Sequence, residues 1–196
     1  MRFSDETHLG FGSEGRIWVI RKPGERSCPD CLHTIRIPKD KDQKRVHAWA
    51  VIGYNYKSKL YRYDNGTSNG KMDQKTYISL LQRECLNWPK DWVLEEDGDS
   101  GHGTSKRNPV RAWKAANNLI SYFNCAHSPD LTPIENAWQA PKSQLRKYSH
   151  WDDETIWELA LEGWEKLSQE TINKWVISMP QRLQDVINRK GQLCGY

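Results

Sequence analysis

Three acidic residues, far apart in the sequence, stand where different structural elements could deliver carboxylates to one place. Asp5 follows MRFS, which is typical of the end of a short strand, Asp97 closes the strand-like segment WVLEED, and Glu135 stands at the start of a helical segment. Mg²⁺ prefers oxygen ligands and keeps coordination positions for water and phosphate. Two such ions can stabilise the attacking and the leaving oxygen in a phosphodiester displacement. If Asp5, Asp97 and Glu135 converge, they suit that chemistry.

Each of these carboxylates also has a purely structural interpretation. Thr132, Pro133 and Glu135 fit the N-cap, the first and the third helical position of a Thr-x-x-Glu capping box. Asp97 fits a turn or cap position before a glycine, and Asp5 fits a solvated position near the start of the chain. Taken alone, these residues leave both interpretations open.

Three segments, in this order along the chain, resemble the signature blocks of the DDE transposases of the mariner superfamily, in their fungal-type form. They are FSDE (3–6), EEDGDSGHG (95–103) and SPDLTPIENAW (128–138), and the tail SMPQRLQDVINRKG (178–191) is similar to the end of that family's catalytic domain. The third block is the most specific of them, because Ser-Pro-Asp-Leu-x-Pro-Ile-Glu-Asn is an unusual string. The resemblance therefore covers nearly the whole chain.

The resemblance implies an α/β fold of the ribonuclease H-like type, a mixed five-stranded sheet flanked by helices with a helical C-terminal tail. It implies that Asp5 on the central strand, Asp97 after the fourth strand and Glu135 on a helix are the catalytic residues and the ligands of two Mg²⁺ or Mn²⁺ ions. The family's pattern places a histidine five positions after the second aspartate. This spacing selects Asp97 over Asp99 and gives His102 a supporting role.

The activity implied by the resemblance is metal-dependent cleavage of DNA and transfer of the cut strand to a target. The implied partners are transposon ends and target DNA, with a possible homodimer, and the implied location is the nucleus; no small-molecule substrate is expected.

Members of the family carry an N-terminal helix-turn-helix region, which we expect this chain to lack, since only Met1 and Arg2 precede Phe3. We also expect the central strand to be shortened there. The alternative is a domesticated or truncated DDE-fold module that is inactive and binds DNA or protein, and a nuclease without strand transfer is a third hypothesis.

The composition is compatible with a DNA partner but does not by itself indicate one. The chain has 196 residues with 29 Lys plus Arg against 25 Asp plus Glu, which fits a single domain (1–196) with a helical extension at 151–196. Affinity for phosphate depends on clustered basic residues rather than on net charge. Two clusters are candidates for contacting DNA or, alternatively, form an ordinary solvated face: Arg21, Lys22 and Arg26, and then Lys106, Arg107, Arg111 and Lys114.

The cysteines indicate a reducing, intracellular environment. There are five, widely scattered, with no secretory segment before them. Cys28, Cys31 and His33 resemble half of a zinc site, but no second Cys/His pair at suitable spacing follows, so we do not expect structural zinc.

No apolar run approaches the roughly 18 residues of a membrane span. Most of the ten tryptophans, Trp138 included, are predicted to be core residues.

Residue periodicity predicts the elements that must position the carboxylates. Strands are predicted at 16–22, 45–55, 59–64, 92–97 and 119–126, with a long polar loop between the first two, and helices at 73–86, 109–117, from 133, and after about 151. An interior proline removes a helical hydrogen bond and costs about 3 kcal/mol. We therefore expect the helix that opens at Pro133 to kink or end at Pro141.

Overall fold

A computed structural model of the chain describes residues 1–10, 45–64, 66, 72–105, 107–125, 128–148 and 152–192. The strand predicted at 16–22 lies outside the described residues, as does nearly all of the loop predicted after it, with Cys28, Cys31 and His33.

The described part of the chain contains one mixed sheet of six strands. The strands are β1 (Arg2–Gly10), β2 (Arg45–Gly53), β3 (Tyr56–Lys57), β4 (Tyr61–Tyr63), β5 (Val93–Glu96) and β6 (Ile120–Phe123). Their order is β3-β2-β1-β5-β6, and β4 pairs with β2 beyond this path. β1 is antiparallel to β2 and parallel to β5, which is parallel to β6. The predicted number of five strands is wrong, since a strand as short as β3 leaves no alternation to read in the sequence.

β1 is longer than its sequence predicts. The sequence predicts that it ends near Ser4, but it runs to Gly10 and pairs with β2 along its whole length of nine residues. Phe3, Thr7 and Leu9 are buried on one face of the strand. The polar residues between them obscure this alternation in the sequence. Because the strand extends to Gly10, Asp5 lies in its middle rather than after its end.

Seven helices flank the sheet within the described residues. They are α1 (Gln74–Cys85), α2 (Pro109–Ala116), α3 (Ile134–Ala137), α4 (Gln139–Lys147), α5 (Asp153–Lys166), α6 (Gln169–Ile177) and α7 (Met179–Asn188). Four have side-chain N-caps, supplied by Asp73, Asn108, Asp152 and Ser168, and such caps satisfy amide groups that the first turn leaves unpaired. The helical C-terminal region is confirmed. None of the described helices is long and apolar enough to cross a bilayer.

The helices form a layer on each face of the sheet. Trp138, Trp164 and Ile172, from α4's N-cap position, α5 and α6, pack with Phe3 and Leu9 in one hydrophobic cluster. A second cluster on the other face includes Trp49 of β2, Tyr77 and Leu81 of α1, and Val110 of α2. Because β1 lies between these layers, the functional residues on it are held from both sides.

The predicted interruption near Pro141 comes earlier in the chain. α3 ends at Ala137 and α4 begins at Gln139, which places Pro141 in the first turn of the second helix. The N–H groups of a first turn have no partner within the helix, so a proline there removes no helical hydrogen bond. The predicted penalty at Pro141 is therefore largely avoided.

Candidate active site

An open cleft of about 340 Å³ brings the three predicted carboxylates together. Asp5 from β1, Asp97 from the turn after β5 and Glu135 from α3 all line it. The remaining lining residues are Ser4, Gly98, Asp99, Asn124, Cys125, Ser128, Pro129 and Thr132. Three separate elements therefore deliver acidic oxygens to one cleft.

Asp5 is held by a buried tryptophan and lies in a strongly negative environment. The indole Nε1 of Trp138 donates a hydrogen bond to Asp5 Oδ2 at 2.8 Å. Loss of hydration raises the pKa of Asp5 well above its usual value, and the charges of Glu6 and Glu135 raise it further, against the Trp138 hydrogen bond. A nearby cation would favour the ionised carboxylate and reverse this effect.

Asp97 is oriented by His102. Its Oδ1 accepts the amide of Asp99 at 3.0 Å and lies 2.7 Å from His102 Nδ1. The other ring nitrogen, Nε2, lies 3.0 Å from Glu6 Oε1. Burial alone would lower the pKa of His102, but Glu6 and Asp97 raise it to about 11. His102 is therefore a charged link between β1 and the turn that carries Asp97.

Glu135 is exposed on α3, at the mouth of the cleft. Partial desolvation raises its pKa, against the charge of Lys142. The predicted capping box is not formed, because Pro133 occupies the N-cap position and no side chain caps the helix. Thr132 Oγ1 instead accepts from Asn124 Nδ2 at 2.8 Å and donates to Glu95 Oε1 at 3.3 Å. The capping interpretation is wrong, since that hydroxyl serves the cleft wall.

Sequence reasoning missed the contacts of three residues around these carboxylates. Trp138 was predicted to be core and is 1% exposed, but its hydrogen bond to Asp5 has no signature in the sequence. Glu6 directly follows Asp5 in the sequence, and its contact with His102 is not predicted there. Glu95 is 3% exposed, and burial raises its pKa to about 8 against its hydrogen bond to Thr132. The clue in the sequence is the adjacent acidic pair of Asp5 and Glu6. Successive side chains of a strand point to opposite faces of a sheet, so Glu6 faces away from Asp5.

The basic residues predicted to contact DNA have different surroundings. Lys114 is 5% exposed, and its ammonium donates to both carboxylate oxygens of Glu96, at 2.6 and 2.5 Å, and to His102 O at 2.7 Å. The prediction is wrong for Lys114, since a buried and fully engaged ammonium cannot reach a phosphate. Arg107 and Arg111 are exposed. Four others lie outside the described residues: Arg21, Lys22, Arg26 and Lys106.

The donor set of the cleft fits hard divalent cations. Asp5, Asp97 and Glu135 supply only oxygen ligands, and the raised pKa of Asp5 reflects its burial first and then the negative charges of Glu6 and Glu135. No group of three or more His, Cys, Asp or Glu side chains within the described ranges is arranged to hold one ion. Mg²⁺ commonly takes one or two protein carboxylates and completes its shell with water and substrate phosphate. The cleft thus fits ions held by pairs of carboxylates better than a closed protein cage.

Comparison with curated proteins relates the chain to transposases. No family model matches it. It is 26% identical to the transposable element Tcb2 transposase of Caenorhabditis briggsae, over 96% of this chain and 67% of that protein. It is also 26% identical to the transposable element Tc1 transposase of Caenorhabditis elegans, over 99% of this chain and 69% of that protein.

Solved structures share the fold. The pre-cleavage Mos1 transpososome matches with a TM-score of 0.77 at 15% identity, over 98% of this chain. The catalytic domain of the Mos1 mariner transposase matches with a TM-score of 0.62 at 16% identity, over 77% of this chain and 76% of that one. The chain spans 56% of the Mos1 chain in the transpososome. The predicted ribonuclease H-like fold is confirmed by this likeness, and sequence and fold together relate the chain to the transposases of the Tc1/mariner family.

Proposed function

We propose that the chain is a transposase catalytic domain that cuts DNA and transfers the cut strand through Asp5, Asp97 and Glu135. The observation that carries this proposal is the placement of these three carboxylates, from a strand, a turn and a helix, around one open cleft. The relationship to Tc1-type transposases supports it.

The proposed cofactor is a pair of Mg²⁺ or Mn²⁺ ions. Mos1 catalytic-domain structures are described with Mn and with Mg. We propose that Asp5 and Asp97 hold one ion, and Asp5 and Glu135 the other. Bound there, the ions would supply charge stabilisation for the attacking and leaving oxygens of the phosphodiester.

The chain's own residues orient the ligands and admit the substrate. Trp138 holds one oxygen of Asp5, and His102 holds one oxygen of Asp97, which fixes their direction before DNA arrives. The Asp97 side chain is 60% exposed, and Glu135 is exposed as well. A phosphodiester backbone can therefore approach both without an opening movement.

The proposed partners are transposon ends and target DNA. Mos1 structures include a paired-end complex with the left transposon end and a strand transfer complex. Of the described basic residues, Arg107 and Arg111 are exposed near the turn that carries His102, and we propose that they contact phosphates. A homodimer and a nuclear location remain part of the same proposal.

The first experiment is calorimetric titration of Mn²⁺ into the purified chain. We expect Asp97→Asn to abolish binding and Asp99→Asn, which alters a neighbouring cleft aspartate, to retain it. Cleavage of supplied transposon-end DNA and strand transfer to a plasmid then test the reaction itself.

Other results of these assays support different functions. Mn²⁺ binding that survives both Asp97→Asn and Glu135→Gln contradicts the proposed ligands. Intact metal binding without cleavage of any supplied end favours the inactive DNA- or protein-binding module. Cleavage without joined products favours a nuclease of the same fold.

A further inference from the structure

Arg182 of α7 is a buried arginine that contacts the segment carrying Glu135. Its side chain is almost completely buried, with 2% exposure. Nε donates to Ser178 Oγ at 2.9 Å, at the N-cap position of α7. Nη1 donates to Asp130 O at 3.0 Å, and Nη2 donates to Asn136 Oδ1 at 3.2 Å. The guanidinium thus connects the C-terminal helix to two points on one short segment.

The two contacts lie on either side of the position that needs orientation. Asp130 is in the short 3₁₀ turn Pro129–Leu131, and Asn136 directly follows Glu135 in α3. α3 has four residues and no side-chain cap, and so short a helix has little stability of its own. Its direction must therefore be set by contacts from outside the segment.

We propose that Arg182 is a positioning residue for Glu135, and through Glu135 for the metal site; this inference rests on the proposed function. Arg182 touches neither the cleft nor the reacting atoms. It holds Asp130 O and Asn136 Oδ1 at a fixed separation, which sets the direction of the helical turn between them. The C-terminal helix α7 is then part of the active-site scaffold.

The geometry requires a fork of donors rather than a single charge. Two nitrogens of the guanidinium donate to two acceptors in the segment, while the third bonds back to α7. Lysine keeps the positive charge but has one ammonium on a flexible stem, so it cannot reproduce three fixed directions. Arg182→Lys therefore separates fork geometry from charge.

The test measures Mn²⁺ affinity and thermal midpoint together, in the full chain. The variants are Arg182→Lys and Asn136→Ala, with Glu135→Gln as the reference for ligand loss. Ile172→Ala is the stability control, because Ile172 is fully buried in α6, in the hydrophobic cluster that also contains Phe3 and Leu9, and does not line the cleft. All titrations are made well below each variant's midpoint, so that folded protein is compared with folded protein.

We expect Arg182→Lys and Asn136→Ala each to weaken Mn²⁺ binding by about tenfold, the lower end of the effect of losing a group that orients a metal ligand. Ile172→Ala should lower the midpoint and leave the affinity within about twofold of wild type. In the double variant the two losses should fail to add, since both substitutions remove the same link.

Two results would overturn the inference and can be told apart. If wild type binds Mn²⁺ in a Glu135-dependent manner but Arg182→Lys only lowers the midpoint, as Ile172→Ala does, then Arg182 is merely structural. If wild type and Glu135→Gln bind Mn²⁺ alike, the proposed metal site is wrong and the inference falls with it.

Discussion

At the scale of single residues, the acidic cleft is organised by neutral and positive groups that hold its carboxylates from behind. Trp138 donates to Asp5, and His102 lies between Asp97 and Glu6. Each leaves the face of the carboxylate toward the cleft available, since each engages one oxygen. These groups therefore orient the carboxylates, and the positive charge of His102 offsets part of the negative charge of the cleft.

Trp138→Phe isolates the indole donor. The substitution keeps an aromatic ring in the core but removes the hydrogen bond to Asp5, so we expect weaker Mn²⁺ binding and a stability loss of about 1–2 kcal/mol. Trp164→Phe is a matched control, because Trp164 is also fully buried and donates one hydrogen bond, to Ser58 O at 3.0 Å. Calorimetry and urea unfolding measure the two effects. Equal Mn²⁺ affinity in both variants would contradict a role for the indole at Asp5.

The buried pair of Lys114 and Glu96 gives a second prediction at this scale. Lys114→Met leaves the Glu96 carboxylate, which is 0% exposed, without its cation. Breaking a buried pair in this way costs about 3–5 kcal/mol. Urea unfolding should show that loss, and adding Glu96→Gln should recover a large part of it. A Lys114→Met variant with wild-type stability would contradict this role of the buried pair.

At the scale of elements, the sequence predicts a helix or strand whose residues follow a single structural pattern. It misses an element in which functional residues interrupt that pattern. α1 has an aspartate cap and the apolar spacing of Tyr77, Leu80 and Leu81, so its bounds were predicted within a residue or two. β1 alternates core residues with functional ones, and the polar character of the latter concealed its length. The break between α3 and α4 falls at Trp138, which precedes the interruption predicted at Pro141 and is the residue that donates to Asp5.

Glu84 links α1 to the short strands β3 and β4 and makes their stability depend on pH. The hydroxyls of Tyr56 and Tyr61 donate to its two carboxylate oxygens, and desolvation raises its pKa from 4.5 to about 7. Between those values the folded protein binds more protons than the unfolded chain, so stability falls as pH rises and levels off above about 7.

The Glu84→Gln variant tests this dependence. Glutamine does not titrate, so the free energy of unfolding of wild type relative to Glu84→Gln should decrease from pH 4.5 to 7.5. Urea unfolding across that range measures the difference, in which other titrating groups cancel. Parallel profiles for the two proteins would show that Glu84 keeps its ordinary pKa.

At the scale of the whole molecule, the sheet order brings the three blocks of the sequence together. β1 and β5 are neighbours, which puts Asp5 beside the turn of Asp97, and α3 packs near β1. The resemblance of the blocks was sufficient to predict the fold and the membership of the cleft. It could not predict which residues hold the carboxylates, because those contacts join positions up to 133 residues apart.

Metal binding should therefore stabilise the whole chain. A ligand present at about 100 times its Kd adds roughly 2.7 kcal/mol to the folded state. For a domain of this size that corresponds to a rise of roughly 5–10 °C in thermal midpoint. Differential scanning fluorimetry with increasing Mn²⁺ should show this rise for wild type and a flat response for Asp5→Asn. The same rise in Asp5→Asn would place the ion elsewhere on the protein.

Arg182 is separated from Asn136 by 46 positions and is made late in synthesis of the chain. A ribosome has already released every acidic residue of the cleft before the arginine that orients one of them emerges. A premature stop codon after α6 would thus yield a protein that has every carboxylate of the cleft but in which Glu135 is misdirected. Gene copies damaged only at their 3′ end would look intact by their acidic residues and still encode a defective protein.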